Sequence, residues 1–224
     1  MKSLPAHVQA VLFDLDGTLL DSAADLYAAL QAYCNETGVV PPHYETVRAV
    51  VSRGARAILR CAFAEDDAAL LERMPRYLDL YAAIMARHTH PFDGIEPLLG
   101  ALEAAGLRWG IVTNKPAFLT AELVKRMGWD PRACAVVSGD TLPVKKPDPA
   151  PVLLACARAG VEPARCLFVG DDMRDVQAGR AAGLYTVAVR WGYLDGGDPG
   201  AWGADAVLDH PRQLAAMLGL AVAV

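Results

Sequence analysis

The chain has 224 residues, 54% of them hydrophobic, and a formal net charge of −5. That composition supports a sizeable core and excludes an intrinsically disordered chain. The acidic balance, with no stripe of cationic residues, argues against a nucleic-acid partner. The N-terminal "MKSLPAHVQA" carries no long apolar region, so no signal peptide is expected.

The first predicted strand is residues 10–16, "AVLFDLD", an apolar run that ends in Asp14 and Asp16 and is followed by Gly17 and Thr18. From residue 20 to residue 90 no strand is convincing. "DSAADLYAALQAYCNETG", "YETVRAVVSRGARAILRCAF" and "DDAALLERMPRYLDLYAAIMARH" read as helices, with Gly38 and Pro41-Pro42 as punctuation. About seventy residues of helix exceed an ordinary crossover, so an inserted all-helical segment is predicted. "HTH" at 88–90 has neither metal-ligand spacing on a helix nor a nearby carboxylate, and is read as a linker.

Strands are then predicted at 107–114, 133–140, 165–172 and 185–191, and helices at 94–105, 116–127, 149–159 and 172–182. Gly106, Gly128, Gly160 and Gly183 each follow a helical stretch, where a left-handed residue closes a helix. Pro116 and Pro149 sit at helix starts, where a missing N–H costs nothing. "GYLDGGDPGAWG" (192–203) is a turn-rich loop. This alternation predicts an α/β fold: a Rossmann-like parallel sheet with helices on both faces. The expected core is 1–19 and 91–224, with an all-helical cap, 20–90, inserted between the first and second core strands.

The five cysteines, Cys34, Cys61, Cys134, Cys156 and Cys166, form no C-x-x-C pair and are read as reduced thiols, most in apolar surroundings. No uncharged apolar run approaches the ~18 residues of a membrane span. A cytoplasmic protein is therefore expected, of unspecified oligomeric state.

Four strands end in polar residues that do not suit a core: Asp14 and Asp16; Thr113, Asn114 and Lys115; Lys145 and Lys146; Asp171, Asp172 and Asp175. Ligands of open parallel sheets bind at the carboxyl ends of strands, so these groups should converge. Two carboxylates 4 Å apart repel by about 4 kcal/mol in a partly screened setting. A divalent cation removes that penalty, and oxygen ligands without His or Cys point to Mg²⁺. The lysines and the Thr/Asn donors suit an anion rich in oxygens, such as phosphate.

"DLDGTLLDS", "VTNK", "KKPDP" and "VGDDMRD", in this order, resemble the four motifs of the haloacid dehalogenase superfamily, and within it the phosphoglycolate-phosphatase-like branch. The tail "VAVRWGYLDGGDPGAWGADAVLDHP" is also similar to bacterial N-acetylmuramic acid 6-phosphate phosphatases. The resemblance implies a Mg²⁺-dependent phosphomonoesterase acting on a small phosphorylated metabolite. Asp14 would be the nucleophile and form an aspartyl-phosphate. Asp16 would protonate the leaving alcohol, then deprotonate water, and lend its backbone carbonyl to the metal. Asp171 would supply a further metal carboxylate, with Asp175, or its neighbour Asp172, orienting it. Thr113 and the backbone N–H of Asn114 would hold phosphoryl oxygens, with Gly17 and Lys115 as further phosphate- or substrate-binding residues. Lys146, which directly precedes Pro147, would bridge nucleophile and phosphate; spacing alone leaves Lys145 open. Arg53 and Arg56, three residues apart on a predicted helix, share a face from which one could grip a substrate carboxylate.

A phosphomutase would use the same Asp14 chemistry and is not excluded by the residues, but the D-G-T form and the tail favour a phosphatase. A dehalogenase is disfavoured because that branch lacks the second aspartate, present here as Asp16. A phosphoacceptor signalling module places its acids differently and carries no helical insertion.

Overall fold

A computed structural model describes residues 3–221; Met1, Lys2 and residues 222–224 lie outside it, so the N-terminal reading and the predicted core boundary are described only between those limits. Six parallel strands form one sheet: β1 (Ala10–Phe13), β4 (Arg108–Val112), β5 (Val136–Val137), β6 (Cys166–Gly170), β7 (Tyr185–Val189) and β8 (Ala206–Leu208). Their spatial order is β5-β4-β1-β6-β7-β8. A second, two-stranded antiparallel sheet pairs β2 (Leu20–Asp21) with β3 (His90–Pro91).

Side chains alternate across the pleat. Val11 and Phe13 therefore pack with Trp109, Ile111, Leu167 and Val169 on one face. Ala10 and Leu12 pack with Val112, Val137, Cys166 and Phe168 on the other. Helices α5 (Ile95–Ala104), α6 (Ala117–Arg126) and α9 (Pro211–Met217) cover the first face. Helices α7 (Ala150–Ala159) and α8 (Met173–Ala181) cover the second. Each fully buried Val, Leu or Phe of this core contributes about 1.5–3 kcal/mol relative to exposure. The sheet is thus coated on both faces, as near-continuous apolar strands require.

The predicted helices after residue 90 lie within a residue or two of the observed ones, because glycines end them. Gly106, Gly128, Gly160 and Gly183 have φ of 71°, 69°, 63° and 87°. The strands are shorter than their apolar runs; the predicted 133–140 strand reduces to Val136–Val137 at the sheet edge. The sixth strand, β8, and helix α9 were not predicted, since "AVL" is too short to show a period.

Between β2 and β3 the chain is helical: α1 (Ala23–Thr37), α2 (Tyr44–Ala49), α3 (Ala55–Arg60) and α4 (Asp67–Ile84), with a 3₁₀ turn at Val51–Arg53. The predicted middle helix is broken. Gly54 has φ 83° and ψ −178°, a conformation that only glycine adopts easily, and it separates the turn ending at Arg53 from α3. Arg53 and Arg56 therefore do not share a helical face, a correction to the sequence reading. Arg53 Nε lies 2.5 Å from Asp195 Oδ2, and Arg56 Nη1 lies 3.4 Å from Asp67 Oδ2.

The two ends of this segment are tied together. Asp25, fully buried near the start of α1, accepts from the backbone N–H of His88 and of Thr89, and from Thr89 Oγ1 at 2.7 Å. "HTH" is thus a linker whose backbone is held by a buried carboxylate, and His90 enters β3.

Candidate active site

β1 is the topological switch point of the sheet: the chain runs outward from it through β4 and β5 on one side and through β6, β7 and β8 on the other. The crevice outside the carboxyl end of such a strand is where ligands bind. Loops after β1, β4, β5, β6 and β7 meet there.

At its floor lies Lys146, whose side chain is only 3% exposed. Its Nζ stands 2.8 Å from Asp14 Oδ1, 2.7 Å from Asp175 Oδ1 and 2.8 Å from the Val112 carbonyl. Burial opposes its charge, but Asp14 and Asp175 outweigh that and raise its pKa. Lys145 is exposed, so of the two lysines it is Lys146 that reaches Asp14 and Asp175. The Asn114 side chain holds the Lys146 backbone from both sides: Nδ2 donates to the Lys146 carbonyl and Oδ1 accepts from its N–H, each at 3.0 Å. The Asn114 side chain therefore seats the lysine.

Asp171 is fully buried. Oδ1 accepts from Thr18 Oγ1 at 2.9 Å, and Oδ2 accepts from Ser52 Oγ at 2.7 Å and from the Tyr193 N–H at 2.8 Å. Gly17, with φ 87°, runs so close that a Cβ there would stand 2.1 Å from Asp171 Oδ2. The glycine is required by that approach.

Carboxylate oxygens of Asp14, Asp171 and Asp175 lie within 4.8 Å of one another. Asp175, read from sequence as orienting Asp171, contributes an oxygen to this group itself. Asp172 is turned away: it caps α8 and takes both Nε and Nη2 of Arg174 at 2.8 Å. Burial pushes Asp172 up, but Arg174 pulls it below its ordinary value. The Asp16 carboxylate also faces away from the group. It accepts from Ser22 Oγ at 2.5 Å and pairs with Lys115 Nζ at 3.1 Å through both oxygens. Burial works against the Lys115 charge, and Asp16 and Tyr81 more than restore it, so its pKa is raised.

Counted as fully ionised, five carboxylates (Asp14, Asp16, Asp171, Asp172, Asp175) outnumber by two the three cations they pair with (Lys115, Lys146, Arg174). Burial, then Asp14 and Asp175, push Asp171 well above the usual carboxylate range. Asp175 is pushed up to about 7 by burial, with Lys146 pulling down and Asp14 pushing up. A buried, oxygen-only cluster whose carboxyls hold protons in place of a cation fits a hard divalent ion.

These raised values fix a sign. An unfolded Asp titrates near ~3.9, so between about pH 4 and pH 7 the folded chain without metal holds more protons than the unfolded one. Its stability therefore falls as pH rises through that window. The thermal midpoint in chelator should drop between pH 5 and pH 7, and saturating divalent cation should flatten the drop by displacing those protons. A midpoint that rises with pH in chelator would contradict this charge balance.

Thr113 is buried, and its Oγ1 accepts from the Lys115 N–H at 3.1 Å. The first N–H of α6 is taken by Asp140 Oδ1 at 2.8 Å, so that helix start is partly satisfied within the chain. Above the floor a cavity of about 390 Å³ opens toward the helical segment. Arg53, 61% exposed, and Arg56 line its mouth.

Ser52, Arg174, Tyr81 and Tyr193 were missed in the sequence. Arg174 Nη2 donates to the Ser52 carbonyl at 2.6 Å, so α8 grips the turn that carries Ser52. The Tyr193 hydroxyl donates to Asp21 Oδ1 and accepts from the N–H groups of Ser22 and Ala23, capping α1 from a different loop. "GY" three residues after β7 was the available signal for Tyr193, since the carboxyl end of that strand faces the same crevice.

Paired acids and a buried lysine at the switch point of a parallel sheet make a site suited to an anionic, oxygen-rich ligand. A family model described as haloacid dehalogenase-like hydrolase matches residues 11–189, and the chain belongs to that family. A phosphoglycolate phosphatase from Xanthomonas campestris pv. campestris is 47% identical over 208 residues, spanning 92% of this chain and 94% of that protein. An N-acetylmuramic acid 6-phosphate phosphatase from Pseudomonas aeruginosa is 45% identical over 219 residues, spanning 96% and 97%. Among solved structures, a predicted phosphoglycolate phosphatase from Haemophilus somnus superposes with a TM-score of 0.85 at 24% identity, over 94% of this chain and 98% of that one. That last likeness is one of fold. With its family and relatives, the chain is a phosphatase.

Proposed function

We propose that this phosphatase uses Mg²⁺ and an aspartyl-phosphate at Asp14 to hydrolyse a small phosphorylated metabolite, and that a sugar phosphate bearing a carboxylate suits its cavity better than phosphoglycolate. The observation that carries the chemistry is the buried Lys146 held between Asp14 and Asp175, with Asp171 beside them. Asp14, Asp171 and Asp175, with the Asp16 backbone carbonyl, are the groups that would hold the cation. When bound, it supplies the positive charge that lets an anionic nucleophile approach an anionic phosphate.

In this reading an Asp14 carboxylate oxygen attacks phosphorus as the ester P–O bond breaks. Lys146 and the Thr113 hydroxyl stabilise charge on the phosphoryl oxygens. Asp16 gives its proton to the leaving alcohol, then takes one from the water that attacks the phosphorus and releases Asp14. Residues 20–90 act as a cap over the core of 1–19 and 91–224, and a cytoplasmic setting fits the reduced thiols.

The substrate preference rests on the cavity. A volume of about 390 Å³ lies in the range of pockets that take drug-sized ligands. Beyond its charged floor it is walled by Leu26, Ile58, Leu71, Met74, Leu78 and Leu119, which a two-carbon acid phosphate would not reach. A substituted sugar ring would cover them, and its carboxylate would meet Arg53 or Arg56 at the mouth.

The test is a steady-state comparison of N-acetylmuramic acid 6-phosphate, phosphoglycolate and other sugar phosphates, with and without EDTA. A kcat/KM preference of about 10²-fold for the carboxylated sugar phosphate is expected, with activity lost in EDTA and restored by Mg²⁺. A comparable preference for phosphoglycolate would reverse the substrate assignment, and full activity in EDTA would remove the metal from the mechanism.

A further inference from the structure

Lys115 stands two residues after Thr113, and the motif alone assigns it to substrate. Its ammonium is otherwise engaged. Nζ lies 3.1 Å from each Asp16 oxygen and 3.1 Å from the Tyr81 hydroxyl. A lysine ammonium has three protons, and these three acceptors match them. The side chain is 6% exposed, and the nitrogen also stands 4.5 Å from the Tyr81 ring centroid. The charge is thus directed at a carboxylate, with no donor left for a phosphoryl oxygen in this arrangement.

The elements that meet here are separate in sequence. Asp16 follows β1 and Lys115 follows β4, both in the sheet. Tyr81 lies on α4 and is fully buried, and Ser22, whose hydroxyl also donates to Asp16, lies at the start of α1. Two helices of the inserted segment therefore bear on one carboxylate, one directly and one through Lys115.

We propose that Lys115 is a positioning residue for Asp16 and not a phosphate ligand, and that Tyr81 makes this positioning depend on α4 being seated against the sheet. The proposal rests on the reading of Asp16 as proton donor. As Asp14 forms its bond to phosphorus and the ester P–O bond breaks, the Asp16 proton passes to the leaving oxygen. Lys115 then meets the carboxylate that remains and holds it aimed for the water step.

The experiment is leaving-group dependence of kcat/KM, which reports steps through phosphoryl transfer to Asp14. p-Nitrophenolate leaves without a proton, whereas a simple alcohol needs one, and general acids contribute about 10²–10⁴-fold. Lys115→Met should lower kcat/KM for an alkyl phosphate at least ~10-fold more than for p-nitrophenyl phosphate. Tyr81→Phe, which keeps the ring, should show the same gradient at smaller size and carries the test if Lys115→Met does not fold. Asp16→Asn is the control. If it shows the gradient while both other variants lose activity evenly across the esters, or only raise KM, the role given to Lys115 and Tyr81 is overturned. If Asp16→Asn itself lowers all esters evenly, the proton-donor reading fails, and this proposal with it.

Discussion

Replacing Asp14 by Asn should reduce turnover of any phosphomonoester by at least about 10³-fold, as loss of a covalent nucleophile does in other hydrolases. An amide is nearly isosteric but is a far poorer nucleophile. The fold should survive, because the Asp14 backbone N–H is bonded to the Val169 carbonyl at 2.9 Å and β1 is held on both sides by parallel pairing. The side chain also accepts from the Leu15 N–H at 2.7 Å, which an amide oxygen can still do. Losing one charge from a cluster with excess negative charge relieves repulsion. The thermal midpoint in chelator should therefore stay level or rise while activity disappears. Near-normal hydrolysis by Asp14→Asn would disprove the nucleophile assignment.

Lys146→Met should cost both stability and activity. The ammonium is the cation shared by Asp14 and Asp175, and methionine would leave their carboxylates buried without it. Breaking a buried pair by removing one partner costs about 3–5 kcal/mol. That is a large share of the ~5–15 kcal/mol by which a domain is stable. At about 2–4 °C per kcal/mol for a chain of this size, the midpoint should fall by roughly 10 °C in chelator. The loss should be larger at pH 8 than at pH 5, where the stranded acids can protonate. Divalent cation should recover part of the stability but not the rate, which should stay down by about 10²-fold or more because the phosphoryl oxygens lose a fixed positive partner. A Lys146→Met protein as stable as its parent in chelator at pH 8 would show that the cluster does not need the lysine.

The sequence made the central architecture readable because apolar strands, helix-ending glycines and strand-end acids are local patterns. Lys146 could be placed ahead of Lys145 only through the family resemblance of its Lys-Pro pair. The distinction between Asp172 and Asp175 could not be drawn, because it depends on which carboxylate closes the first turn of α8 and which turns to Arg174. Arg53 and Arg56 were misplaced because one glycine, Gly54, changes the backbone direction between them. The partners of Lys115, Tyr81, Ser52 and Tyr193 could not be read, because they lie 22 to 172 positions away in the chain.

The two-stranded neck has a consequence for how such enzymes can be rebuilt. The helical segment leaves the sheet at Asp21 and returns at His90, and these two residues are paired partners. Partner Cα atoms in an antiparallel ladder lie about 4.5–5.5 Å apart. A short turn could join them, or an unrelated insert with adjacent ends could be spliced between them, without redrawing the sheet. Such a transplant would not be chemically silent. The removed piece takes with it Ser22 and Tyr81 behind the Asp16 carboxylate and Ser52 on Asp171. Exchanging the helical segment would thus also exchange hydrogen-bond partners of Asp16, Lys115 and Asp171, and a graft chosen for its pocket would need its own substitutes for those three hydroxyls.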